Sequence, residues 1–198
     1  MKRLLWPDWY FADITRIPEN FFVKNNIRWL LSDIDNTLAP YSADIPTETD
    51  KQFFAQLKKE GVKLAFVSNN NRSRVLTFAA GTGIPSVYKA GKPFGRGTKE
   101  AMDLLGANPD RCAFLGDQIF TDGLAARKAG IRMILVKPIE DKPSLLFRIK
   151  RHFEKKSIDR YLKKYDLNEP EPERRFKRKM KKLRKKMRRE QRKKERQK

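Results

Sequence analysis

Short apolar runs and amphipathic stretches alternate along this chain. The runs Arg28 to Ile34, Val62 to Val67, Ser86 to Tyr88, Arg111 to Leu115 and Arg132 to Val136 are bounded by turn residues. Continuous apolar runs of this length are expected of strands buried on both faces. Between them, Thr47 to Glu60, Arg72 to Ala80, Gly97 to Leu105, Thr121 to Ala129 and Ser144 to Lys156 read as helices. Thr47 opens a capping pattern with Asp50, and Phe53, Phe54 and Leu57 follow on one face. Gly61, Gly106 and Gly130 each fall just past a predicted helix, where a left-handed residue ends it well. Strand–helix alternation predicts an α/β fold of three layers, a mainly parallel sheet between helices. No internal repeat is visible.

Charge changes the picture at one end. The chain has 198 residues and a net charge of +22, and Arg174 to Lys198 holds 17 Lys and Arg against 2 Glu, or +15 of that total. Glu169-Pro170-Glu171-Pro172-Glu173 reads as a linker before it. The expected organisation is therefore an aromatic segment over residues 1–27 packed on the core, a domain over 28–166, and a linker with a basic tail over 167–198. The tail is expected to be disordered or conditionally helical. Phe176, Met180, Leu183 and Met187 would share one stripe of a helix otherwise covered by Lys and Arg. A basic amphipathic helix suits an anionic membrane surface or nucleic acid. A solvated charge run with incidental apolar residues has the same composition. Trp6, Trp9, Tyr10 and Phe11 cluster around Pro7 and suit either a lipid interface or packing over the sheet edge.

Composition also excludes. Cys112 is the single cysteine and lies in a predicted strand, so it reads as core, with no disulfide possible within the chain. A reducing, cytoplasmic compartment fits, peripheral on the inner face of a membrane if the tail binds lipid. His152 is the single histidine, which rules out a His-based triad or a His-rich metal site. No apolar stretch approaches the length needed to span a bilayer. Asp8 and Asp13 interrupt the N-terminal stretch too early for a secretory signal.

Chemistry concentrates at the ends of the predicted strands. The first run delivers Asp33 and Asp35 to the sheet edge, where ligands bind in open α/β folds. The second ends in Ser68-Asn69-Asn70, Gly91-Lys92-Pro93 precedes a helix, and the fourth ends in Gly116-Asp117 with Asp122 five residues on. Two neighbouring carboxylates repel unless a cation or a proton separates their roles. One could attack phosphorus while the other moves protons. An Asp-rich turn or helix cap has the same composition. A pocket of four carboxylates implies a divalent cation.

The order D-x-D-x-T at Asp33 to Thr37, Ser68-Asn69, Lys92-Pro93 and G-D-x-x-x-T-D at Gly116 to Asp122 resembles the haloacid dehalogenase superfamily of aspartate-nucleophile phosphatases. The resemblance covers roughly Trp6 to Arg151. Pro7-Asp8, Asn36-Thr37-Leu38 and Val67 to Asn71 look like the YqeG-type branch of its subclass IIIA, similar to phosphatidylglycerophosphate phosphatases. The resemblance implies a Rossmann-like fold, with Asp33 as nucleophile and Asp35 as general acid and base. It implies Mg²⁺ held by Asp33, the Asp35 carbonyl and Asp117, with Asp122 completing the cluster. Ser68, Asn69 and Lys92 would hold the phosphoryl group, and Thr37 would orient Asp33. Asn36 suits a turn and receives no chemical role. The intervals between motifs are too short for an inserted cap domain, so the site should be open. The expected activity is Mg²⁺-dependent dephosphorylation of phosphatidylglycerophosphate at a membrane surface. Its rivals are a phosphatase of nucleic-acid ends or of a soluble phosphometabolite, and an RNA- or ribosome-associated protein with an auxiliary core.

Overall fold

The computed structural model of the chain describes residues 6–140 and 145–165, without the side chains of 145–151. The basic tail, with Phe176, Met180, Leu183 and Met187, lies outside the described residues. Among the described residues, six strands form one sheet: β1 (Trp9–Phe11), β2 (Trp29–Ser32), β3 (Lys63–Val67), β4 (Ser86–Val87), β5 (Cys112–Gly116) and β6 (Arg132–Val136). Their order is β1-β6-β5-β2-β3-β4, and every pairing is parallel. The helices are α1 (Phe21–Lys24), α2 (Glu48–Lys59), α3 (Arg72–Ala79), α4 (Arg96–Leu105), α5 (Leu124–Lys128) and α6 (Leu145–Lys164).

Side-chain alternation along the strands divides the core in two. Leu30, Leu64, Phe66, Leu115, Ile134 and Val136 point to one face, where Phe53 and Leu57 of α2 and Val75 and Phe78 of α3 cover them. Leu31, Ala65, Val67, Phe114, Met133 and Leu135 point to the other, under Ala101 and Met102 of α4 and Ala126 of α5. Both faces are buried, which is why the strands read as unbroken apolar runs. Thr47 caps α2 in a reciprocal pair with Asp50, as its sequence pattern predicts. Cys112 is buried, and burial pushes its thiol up to about 12, so it is not a ready nucleophile.

Three elements differ from the sequence reading. Trp9–Phe11 is an edge strand paired with β6, not only a segment lying on the core. Its register is fixed by Asp8, whose N–H donates to Met133 O at 2.8 Å while its carboxylate accepts from Met133 N at 2.7 Å and pairs with Arg127 at 2.9 Å. The N-terminal aromatics are spent on packing: Trp9 and Phe11 each meet Phe21 edge-on at 5.3 Å, and Trp6 meets Tyr161 at 6.2 Å. The helix expected over Thr121 to Ala129 opens as a π-helical turn, Ile119–Gly123, before α5. The last helix continues to Lys164, because Tyr161 and Leu162 are buried.

Between β2 and β3 lie only a loop and α2, and between β3 and β4 only α3, so no covering domain is inserted at either place. The order in which strands are added reverses at β2, with β3 and β4 laid down on one side and β5 and β6 on the other. Ligands in open parallel sheets bind at such a switch point, beyond the carboxyl ends of the strands.

Candidate functional site

Each strand that flanks the switch point ends in a polar residue of the sequence motifs. β2 is followed by Asp33 and Asp35, β3 by Ser68, and β5 by Asp117, all buried with at most 7 % exposure. The backbone folds back after Asp35: Asn36 takes a left-handed φ of 68°, and the N–H groups of Thr37, Leu38 and Ala39 all donate to Ile34 O. A non-glycine residue rarely adopts that conformation, and Asn is among those that tolerate it best.

Lys92 stands at the centre. Its Nζ lies 2.8 Å from Asp33 Oδ1 and 2.8 Å from Asp122 Oδ1, with only 3 % of its side chain exposed. Carboxylate oxygens of Asp33, Asp117 and Asp122 lie within 4.8 Å of one another. Burial pushes the Asp33 carboxyl up to about 7; Lys92 opposes this, while Asp122 and Asp117 reinforce it. Burial pulls Lys92 toward neutrality, but Asp122 and Asp33 outweigh it and hold the ammonium above its usual range. Lys92 thus pairs with two of these carboxylates, and the oxygens of all three stand close enough together to share a divalent cation. Oxygen donors of this kind suit Mg²⁺. Asp33, Asp117 and Asp122 are therefore the residues that could hold a metal ion.

Close packing enforces this cluster. The π-helical turn brings Asp122 back so that its Oδ2 accepts from Gln118 N at 3.1 Å. A Cβ at Gly116 would come within 2.5 Å of Asp122, so only glycine fits at the end of β5.

Asp35 faces a different set of partners. Nη2 and Nε of Arg74 lie 2.8 and 3.2 Å from its Oδ1, and Asn70 Nδ2 donates to its Oδ2 at 3.0 Å. Neither Arg74 nor Asn70 has a role in the sequence reading. The Arg74 contact joins residues 39 apart and leaves no signal in local pattern.

Other motif residues build the loops. Asn69 grips Lys92 by its backbone, accepting from Lys92 N at 2.8 Å and donating to Lys92 O at 2.9 Å. Its side chain therefore holds the Lys92 backbone in place. Ser68 Oγ accepts from Asn70 N at 3.1 Å. The Thr37 hydroxyl donates to Asp117 Oδ1 at 3.5 Å. Asn36 clips the loop after β6: its Oδ1 accepts from Glu140 N at 2.6 Å and its Nδ2 donates to Glu140 O at 2.8 Å. His152 is exposed. No helix among the described residues is long and apolar enough to cross a membrane.

Residues 27–130 match the haloacid dehalogenase-like hydrolases. The chain is 31 % identical over 158 residues to the "Probable phosphatase YqeG" of Bacillus subtilis (strain 168), covering 80 % of this chain and 92 % of that one. Among solved structures, it is similar to a 3-deoxy-D-manno-octulosonate 8-phosphate phosphatase of Moraxella catarrhalis, in complex with magnesium and phosphate ions and a KDO molecule. That match has 19 % identity and a TM-score of 0.45 over 75 % of this chain and 99 % of that one. The cobalt-bound deoxy-D-mannose-octulosonate 8-phosphate phosphatase of Haemophilus influenzae matches at 15 % identity and a TM-score of 0.46, over 67 % of this chain and 90 % of that one.

Proposed function

Because the chain belongs to the haloacid dehalogenase-like hydrolases, we propose that it is a phosphomonoester hydrolase that uses Asp33 as nucleophile and acts on a phosphorylated lipid headgroup. The observation that carries the chemistry is the buried set of Asp33, Asp117 and Asp122 around Lys92. An oxygen of Asp33 forms a bond to phosphorus as the bond to the alcohol oxygen breaks. Asp35 gives that oxygen a proton. Water then attacks the aspartyl phosphate, Asp35 takes its proton, and Asp33 leaves as carboxylate. Lys92 offsets negative charge on Asp33 and on the phosphoryl group throughout. Asp33, Asp117 and the Asp35 carbonyl, with Asp122 close by, would hold Mg²⁺, whose charge supplies further stabilisation when bound.

Phosphatidylglycerophosphate is the proposed substrate. The open site suits an ester whose bulk lies outside the protein. Exposed apolar side chains support surface delivery: Phe94, two residues after Lys92, is 76 % exposed and Ile139 after β6 is 44 % exposed. The basic tail adds attraction to an anionic leaflet.

Phosphate release with Mg²⁺ tests both levels of the reading. Phosphatidylglycerophosphate in mixed micelles should turn over about tenfold faster or more than glycerol phosphate or a 3′-phosphorylated oligonucleotide at matched concentration, a difference of about 1.4 kcal/mol. A soluble ester that wins would end the lipid assignment and leave the hydrolase. Asp33→Asn should abolish turnover on every ester, since an amide cannot form the acyl phosphate. Retained activity in that variant would overturn the nucleophile.

A further inference from the structure

We propose that Arg74 forms, beside Asp35, a subsite for a second anionic group carried on the leaving alcohol. The enzyme would then prefer phosphomonoesters of anionic alcohols to those of neutral ones. This inference rests on the hydrolase reading above, in which Asp35 meets the leaving oxygen.

The two carboxylates of the first motif have separate cations. Lys92 touches Asp33 and Asp122. Arg74 touches Asp35 alone among the carboxylates, from the first turn of α3. A single phosphoryl group is served by Lys92 and a bound cation. It gives no reason for a second cation at the leaving-group end of the scissile bond. A leaving alcohol with its own negative charge gives one.

The geometry of Arg74 fits such a use. Both its Nε and its Nη2 address the same oxygen, Oδ1 of Asp35, so the contact is not the two-oxygen fork of a fully matched pair. Nη1 is buried and has no hydrogen-bond partner among the described residues, so the fold leaves one donor of this guanidinium unmet. Guanidinium carries five N–H donors and is the side chain suited to phosphate and carboxylate oxygens. The Phe78 ring, 5.6 Å from Arg74 Cζ, steadies the head group. Its side chain as a whole keeps 14 % exposure, so part of it meets solvent. An arriving anion that shares Arg74 also loosens its hold on Asp35, so a substrate of the right class frees the side chain that must meet its own leaving oxygen. The ligand class is a phosphodiester, phosphate or carboxylate a few bonds from the scissile oxygen.

Three soluble esters test this without a membrane: glycerol 3-phosphate, whose alcohol is neutral; 3-phosphoglycerate, whose alcohol bears a carboxylate; and glycerophosphoglycerophosphate, whose alcohol bears a phosphodiester. With Mg²⁺, kcat/KM of the unaltered protein should favour one or both anionic alcohols over glycerol 3-phosphate by about tenfold or more, as expected of a charge-assisted contact. Arg74→Gln should collapse that ratio to within about twofold, mainly through a higher KM for the anionic esters, and Arg74→Lys should retain part of it. Preference for the phosphodiester identifies a headgroup-like substrate, and preference for the carboxylate a soluble metabolite; either supports the subsite. No discrimination by the unaltered protein would overturn the inference. So would equal loss on all three esters in Arg74→Gln, which would make Arg74 a positioning residue for Asp35 only. Hydrolysis of none of the three, nor of the lipid, would remove the hydrolase reading and this inference with it; hydrolysis without discrimination would remove the inference alone.

Discussion

At the residue scale, the site is a set of buried carboxylates gathered around one lysine. Asp33 has its carboxyl raised from 3.8 to about 7 by burial, against the pull of Lys92. A raised carboxyl contributes stability that is present below the unfolded value and lost as pH rises through about 7. The metal-free fold should therefore weaken across pH 4 to 7 on account of this group, and a divalent cation should recover the loss. Thermal shift at fixed Mg²⁺ checks this: the Mg²⁺-induced rise in Tm should be larger at pH 8 than at pH 5.5. Below pH 7, competition by protons should cost up to about tenfold in affinity per unit. Equal shifts at both pH values would show that Asp33 is not a ligand. Lys92→Met makes the complementary case, because it leaves Asp33 and Asp122 buried without their cation. Removing one partner of a buried pair costs about 3–5 kcal/mol. Urea unfolding with chelator at pH 7 should show that loss, and saturating Mg²⁺ should restore part of it.

At the element scale, the strands set positions and the loops between them lock one another. Asn36 ties the loop after β2 to Glu140 beyond β6, and Asn69 ties the loop after β3 to Lys92. Each clip closes a long-range pair that a strand end alone leaves free. The end of β5 offers the sharpest test. Gly116→Ala would drive a methyl into Asp122, and overpacking of this kind costs about 1–3 kcal/mol. Relief comes by moving the π-helical turn, which also moves Asp122 from Lys92. Activity in this variant should fall far more than stability does, with a raised Mg²⁺ requirement, measured by phosphate release and urea unfolding together. Unchanged activity would mean that the position of Asp122 is not critical.

At the scale of the whole molecule, charge and site are carried by different parts of the chain. All the motif residues lie upstream of the segment Arg174 to Lys198, which holds most of the net charge. Deleting that segment should leave turnover of a soluble ester within about twofold while weakening binding to anionic vesicles strongly, at up to about 1 kcal/mol for each Lys or Arg near the surface. Replacing Phe176, Met180, Leu183 and Met187 by Ser keeps every charge and removes the apolar stripe. Co-sedimentation at moderate salt should then show lost vesicle binding with RNA affinity largely kept. Unchanged vesicle binding would make the tail a simple polycation.

The sequence by itself determined the strands from β2 to β6, the helices between them, the parallel sheet and the acidic residues at its edge. These follow from local pattern: apolar runs of strand length, a capping pair at Thr47 and Asp50, and polar residues that end apolar runs. The boundaries shift by a residue or two, where end residues compete between strand and turn, except at the start of α5, which the π-helical turn delays to Leu124. Tertiary structure alone decided the remainder. The three residues of β1 are too short to carry a period, and Asp8 places them through contacts with Met133 and Arg127. The motif order singles out Asp33 and Lys92 as candidates, but only folding shows that Lys92 bridges Asp33 to Asp122 and that the Thr37 hydroxyl lies 3.5 Å from Asp117 Oδ1. Arg74 was invisible because an ion pair across 39 residues depends on where α3 starts relative to β2, a distance set by sheet packing. Local pattern fixes which residues stand at the edge of the sheet; which of them touch is settled by the strand order, the loop closures and the glycine at the end of β5.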